Sequence, residues 1–171
     1  MTDFYQWATN RCSQKEYCRS ELAQKLRTKG ATPSEIELLL TRLEAERYID
    51  ESRYARAFVS DKFRFDRWGR IKITNALRLK GISSNDIDDA LQLITDADYR
   101  KTLSDFITSR RRTTHDSTPY AINQKIARAA LYGRGYAGAC TAHPCKSGRA
   151  DRRRIRGAFP VFVLVIFTRC K

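Results

Sequence analysis

The sequence predicts an all-α protein, an elongated array of tandem three-helix repeats whose third repeat is incomplete. Apolar residues recur at helical spacing through most of the chain, which is the first sign. A basic residue followed by glycine then closes successive apolar runs at Lys29-Gly30, Lys80-Gly81 and Arg134-Gly135, at nearly equal intervals. The stretch after the first glycine also returns after the second. Thr32-Pro33-Ser34-Glu35 leads into Ile36, Leu39, Leu40 and Leu43, and Ser83 and Asp86 lead into Ile87, Ala90, Leu91 and Ile94. A period of this length is the mark of a helical solenoid or array. Four prolines and eight glycines among 171 residues are too few for a turn-rich β-sandwich.

The first predicted helix lies in the segment from Ser13 to Lys29, where Cys18, Leu22 and Leu26 share a face and Gly30 supplies the C-cap. Thr32, Pro33 and Glu35 then occupy N-cap, N1 and N3 of the second, a capping box. Its apolar residues at i, i+3, i+4 and i+7 are a strong amphipathic signal. The third helix follows Tyr48-Ile-Asp-Glu-Ser-Arg-Tyr-Ala-Arg-Ala-Phe58, with Asp50 as cap and Tyr54, Ala55, Phe58 and Val59 as its face. It is expected to run to about Phe65. Ile73 and Leu77 restart the pattern, and Tyr99, Leu103, Phe106 and Ile107 form the face of that repeat's last helix. A third restart begins near Pro119 with Ile122, Ile126, Ala127 and Leu131. The expected repeats are 1–66, 67–114 and a partial 115–138, followed by an atypical basic tail over 139–171. In that tail cysteine, glycine and arginine rise, acids fall away and helical period is lost. A shifted reading frame near residue 137 and a lineage-specific tail both account for the change.

The formal charge of +14 points to an acidic partner, most economically nucleic acid. Residues 140–171 hold eight Lys/Arg against one acid, so half of that charge sits in the tail. No apolar run opens the chain as a secretory signal would. The longest one, Ala158 to Phe167, is ten residues, about half of what a bilayer span needs. The cytoplasm is therefore the expected compartment, with no membrane association and five reduced cysteines.

No nucleophile triad, P-loop or dinucleotide glycine pattern is present, and the two histidines fall in apparent loop or tail. Cys140, His143 and Cys145 lack a second ligand pair at zinc-finger spacing. The expectation is a protein that is not an enzyme, with no metal and no cofactor. The basic residues carry more. Arg64, Arg67, Arg70 and Lys72 bracket Trp68-Gly69 between the first two repeats, and Arg110-Arg111-Arg112 sits at the matching junction of the next two. Solvated helix ends would explain either cluster alone. Their recurrence favours a phosphate- or acid-binding stripe.

Taken in order, Leu26-x-x-Lys29-Gly30, the Tyr48 to Phe58 stretch with Asp50, Arg53, Tyr54 and Ala55, Gly69-Arg-Ile-Lys-Ile, and Leu77-Arg-Leu-Lys80-Gly81-Ile form a specific combination. With Lys125-Ile-Ala-Arg to Arg134-Gly135-Tyr136 added, it resembles the RecX family of bacterial recombinase regulators over residues 15–136. The resemblance implies a nonenzymatic, monomeric regulator seated in the groove of the RecA–DNA filament. Its partners would be that filament and single- or double-stranded DNA. It would limit recombination, ATP hydrolysis and coprotease activity, and so act in DNA repair and the SOS response. The departure is everything after Tyr136. Two other classes compete: a helical-repeat DNA-binding repressor and a protein-only scaffold. The glutamate-rich helix from Glu35 to Arg47 is a poor surface for a DNA groove, which counts against the repressor.

Overall fold

The computed structural model describes residues 2–136, and the atypical segment 139–171, with Cys140, His143 and Cys145, lies outside them. The described residues are helical, with no strand among them: α1 (Thr2–Gln14), α2 (Arg19–Thr28), α3 (Pro33–Ala45), α4 (Glu51–Arg64), α5 (Arg70–Leu79), α6 (Ser84–Leu91), α7 (Asp96–Thr113) and α8 (Pro119–Arg128), then a π-helical segment Ala129–Arg134. The all-α, three-helix-repeat expectation holds. No helix among the described residues is long and apolar enough to cross a membrane. The chain divides between Thr95 and Asp96 into two compact units.

In the first unit, α2 and α3 pack against each other. Leu22 and Leu26 meet Ile36, Leu39, Leu40 and Leu43 in one buried cluster, to which α1 adds Ala8. Burying each such leucine contributes roughly 1.5–3 kcal/mol. The first helix was expected in Ser13–Lys29, but the chain leaves helix after Gln14 and re-enters at Arg19, with extended Cys18 as N-cap. Residues 2–14 form a helix of their own because Phe4, Tyr5, Ala8 and Cys12 make a helical stripe facing that cluster. The remainder of the unit is α4 packed on α5 and α6. Its core is Tyr54, Ala55 and Val59 against Ile73, Leu77, Ile82, Ile87, Ala90 and Ile94, all buried. In the second unit, α7 packs on α8 and on the π-helical segment. Tyr136 lies 5.4 Å from Tyr99 and 6.0 Å from Phe106, ring centre to ring centre.

The helix ends follow the caps. Thr32 Oγ1 accepts the Glu35 N–H at 3.4 Å while Glu35 Oε2 accepts the Thr32 N–H at 2.9 Å, closing the capping box. Those bonds to Thr32 also hold the Glu35 carboxyl below its ordinary pKa. Asp50 and Ser83 cap α4 and α6 by accepting the Arg53 and Asp86 N–H groups at 2.9 and 3.2 Å. Gly30 and Gly81 sit in left-handed backbone, φ +91° and +85°. At the second, Ile82 N–H reaches Leu77 O at 3.2 Å and Gly81 N–H reaches Arg78 O at 3.0 Å, a Schellman motif. An added Cβ on Gly81 meets nothing within 4 Å, so its cost is purely that of the backbone. Gly81→Ala is therefore expected to destabilise the first unit by about 1–2 kcal/mol. Ser84→Ala on the exposed start of α6 should stay within about 0.5 kcal/mol of the parent. Urea unfolding followed by circular dichroism measures both, and equal midpoints would refute the cap. Arg47 occupies the equivalent position after α3 with φ +59°, and Tyr48 N–H reaches Leu43 O at 2.8 Å. Nothing in the sequence marked that turn, because its left-handed residue is not glycine.

Candidate nucleic-acid interface

Arg64, Arg67, Arg70 and Lys72 come together at the turn between α4 and α5. Arg64 ends α4 and Phe65 is its C-cap. The chain then reverses through Arg67 in left-handed backbone, φ +52°, and Trp68 N–H closes the turn onto Lys62 O at 2.9 Å. Gly69, extended, is the N-cap of α5. Beneath the turn Tyr54, Phe58 and Trp68 form a column of rings: Tyr54 and Phe58 stack at 5.9 Å, and Trp68 meets Phe58 edge-on at 6.4 Å. Lys62 Nζ lies 5.0 Å and Lys72 Nζ 4.4 Å from the Trp68 ring centre, within cation–π range. Arg70 Nη2 donates to Ile94 O at 2.7 Å, which fastens the start of α5 to the chain just after α6. The four residues therefore differ. Arg64 and Arg67 are exposed, and Arg70 and Lys72 are half-buried. Lys62, which no sequence pattern singles out, adds charge to the same turn. It also pairs with Asp66 Oδ2 at 2.6 Å, so its contribution is partly offset.

Arg110, Arg111 and Arg112 occupy the last turn of α7 in the second unit, where the helix dipole favours cations. All three are exposed. The Arg110 guanidinium lies 5.8 Å from the Phe106 ring centre, and Arg111 Nη2 is 3.4 Å from Asn123 Oδ1.

The motif residues hold the fold. Arg53 Nε donates to Glu16 Oε1 at 2.7 Å. Tyr54 OH donates to Glu21 Oε1 at 3.1 Å, and Lys80 Nζ pairs with the same oxygen. Burial first, then the neighbouring Cys18 and Glu21, push the Tyr54 phenol far above its ordinary value. Ser20 Oγ donates to Lys80 O at 2.6 Å. These links run from α2 to α4 and to the end of α5, so Lys80 is bound to a partner far away in sequence. Lys29, its counterpart, lies 4.9 Å from the Trp7 ring centre on α1. Arg134 lies 5.9 Å from Phe106, and Gly135 is left-handed with φ +73°. Ala55 is buried, and Tyr48 exposes part of its ring.

A family model described as "RecX, second three-helix domain" matches residues 50–91, which are α4, α5 and α6 with their N-caps. A protein named "Regulatory protein RecX" from Pseudomonas fluorescens is 41% identical over 80 residues, covering 47% of this chain and 51% of its own length. The chain is similar to RecX proteins. A RecX of Photobacterium profundum is 30% identical over 116 residues, 67% of this chain and 44% of that protein. The chain thus spans about half the length of the curated RecX proteins it matches. Among solved structures, RecX from Lactobacillus salivarius superposes with a TM-score of 0.67 at 26% identity, covering 80% of this chain and 88% of that one. Another crystal structure of regulatory protein RecX gives a TM-score of 0.72 at 24% identity, covering 80% and 66%, a likeness of fold. The RecX-matched domain contains the whole α4–α5 turn and its basic residues.

Proposed function

We propose that this chain binds a RecA-type recombinase filament on DNA and restrains its ATP turnover, strand exchange and coprotease activity, catalysing nothing itself. The observation that carries the reading is the α4–α5 turn. It presents Arg64 and Arg67 to solvent from a packed three-helix domain of a regulatory family. Cations held on a rigid turn meet a polyanion without first losing much conformational freedom, and neutralising phosphates releases counterions. Arg110, Arg111 and Arg112 supply a second set of contacts on the same reasoning. The protein acts in the cytoplasm, as a monomer seated on filament protomers and their DNA. Protein-only scaffolding is the weaker reading, since it leaves this basic turn without a role.

Titrating the purified chain into recombinase assembled on single-stranded DNA, and following ATP hydrolysis, tests the proposal. The rate is expected to fall as the chain approaches saturation of the filament. An unchanged rate at all concentrations, with the chain folded by circular dichroism, would overturn it.

A further inference from the structure

The α4–α5 turn carries a side chain that its packing leaves out. Phe65, the residue after α4, is 80% exposed. Phe58 and Trp68, aromatic residues of the same stretch, have rings stacked into the column beneath or covered by lysines. A bare phenyl ring between two exposed arginines offers an apolar π-face together with positive charge. Single-stranded nucleic acid has the complementary pair: unpaired bases with free faces, joined by phosphates. A duplex satisfies only the charges, because its bases already stack on one another. Base–aromatic stacking tolerates any sequence, as every base has a π-face. The exposed aliphatic residues of α5, Ile71 and Leu79, provide no ring.

We propose that Phe65 is a base-stacking residue: its ring receives an unpaired base of single-stranded DNA while Arg64 and Arg67 contact the flanking phosphates. The inference rests on the reading of this turn as a DNA contact, and it adds a preference for single strands over duplex. It assigns the charge-dependent part of the affinity to the arginines and the strand preference to the ring.

The test measures binding of the full chain to a fluorescein-labelled oligothymidylate and to a duplex of equal length, by anisotropy and without recombinase. Phe65→Ala should weaken oligothymidylate binding about tenfold. It should leave duplex affinity within about twofold and the salt dependence of both unchanged, since no charge is altered. Phe65→Trp should bind like the parent and show indole fluorescence that is quenched by oligothymidylate and not by duplex. Equal losses on both DNAs, no loss on either, or an unquenched tryptophan in Phe65→Trp would each overturn the proposal. If Phe65→Ala binds both DNAs normally but no longer slows the recombinase, the ring docks on protein; the stacking role falls while the proposed function stands. If the parent leaves recombinase ATPase untouched, the proposed function falls and the oligonucleotide result still decides the stacking role.

Discussion

Lys80→Met should destabilise the first unit by about 1–3 kcal/mol, a large effect for a residue at the surface end of a helix. Lys80 and Glu21 side chains are only 25% and 26% exposed, and Lys80 pairs with the Glu21 oxygen that also accepts from Tyr54 OH. Glu21 Oε2 is buried without a partner among the described residues. Removing the ammonium leaves a largely desolvated carboxylate held by one phenol, and the cost is that of the stranded charge rather than of the pair itself. The quarter exposure of both groups keeps the value below what a fully buried pair would give. Glu21→Gln in the same background retains an acceptor for Tyr54 and removes the stranded charge, so the double variant should recover much of the loss. A coupling of about 1 kcal/mol or more in the double-mutant cycle, read from urea unfolding, is the expected result. Additive effects would mean that Lys80 is a free surface cation, and the lysine–glycine motif would become a candidate contact in its own right.

That pair shows why part of the structure was legible in the sequence and part was not. Helices α2 to α8 announce themselves by local signals: Thr32 with Glu35, Ser83 with Asp86, glycines at 30, 81 and 135, and apolar residues at helical spacing. Each signal acts within one or two turns of chain, so reading it needs no knowledge of the fold. Lys80 and Glu21 are 59 residues apart, and no local pattern joins them. The repeat shows a related limit. Its sequence period ends at Gly30, Gly81 and Gly135, but α4 packs on the two helices that follow it, α5 and α6, and the family domain 50–91 has the same grouping. A period is visible in a sequence; its phase is set by which faces meet. The helix α1 is legible from Phe4, Tyr5, Ala8 and Cys12, a stripe that precedes the repeat. At the candidate site, the sequence identified the arginines near Trp68 but could not separate Arg70, spent on Ile94 O, from exposed Arg64 and Arg67. The sequence carries the third helix to about Phe65, but only the turn shows that this ring is left in solvent.

Reversing both exposed arginines, Arg64→Glu with Arg67→Glu, should raise the concentration of the chain needed to halve recombinase ATPase by about tenfold or more at low salt. The change replaces two attractive charges with two repulsive ones at a fixed position, and the side chains lie outside the core. Arg67 holds a left-handed backbone, which glutamate tolerates no better and no worse than arginine, so the fold should be retained. The gap between variant and parent should narrow as salt rises, because exposed charges are screened over about 10 Å at 0.1 M. Arg27→Glu with Arg100→Glu, at two exposed helix positions elsewhere, makes the same change in net charge and serves as the control. The decisive measurement is therefore the half-inhibitory concentration of parent, double reversal and control on one filament preparation, each with helicity checked by circular dichroism. The account predicts a large shift for the reversal at the α4–α5 turn and a small one for the control. Equal inhibition by parent and double reversal, or equal shifts for both variants, would contradict it.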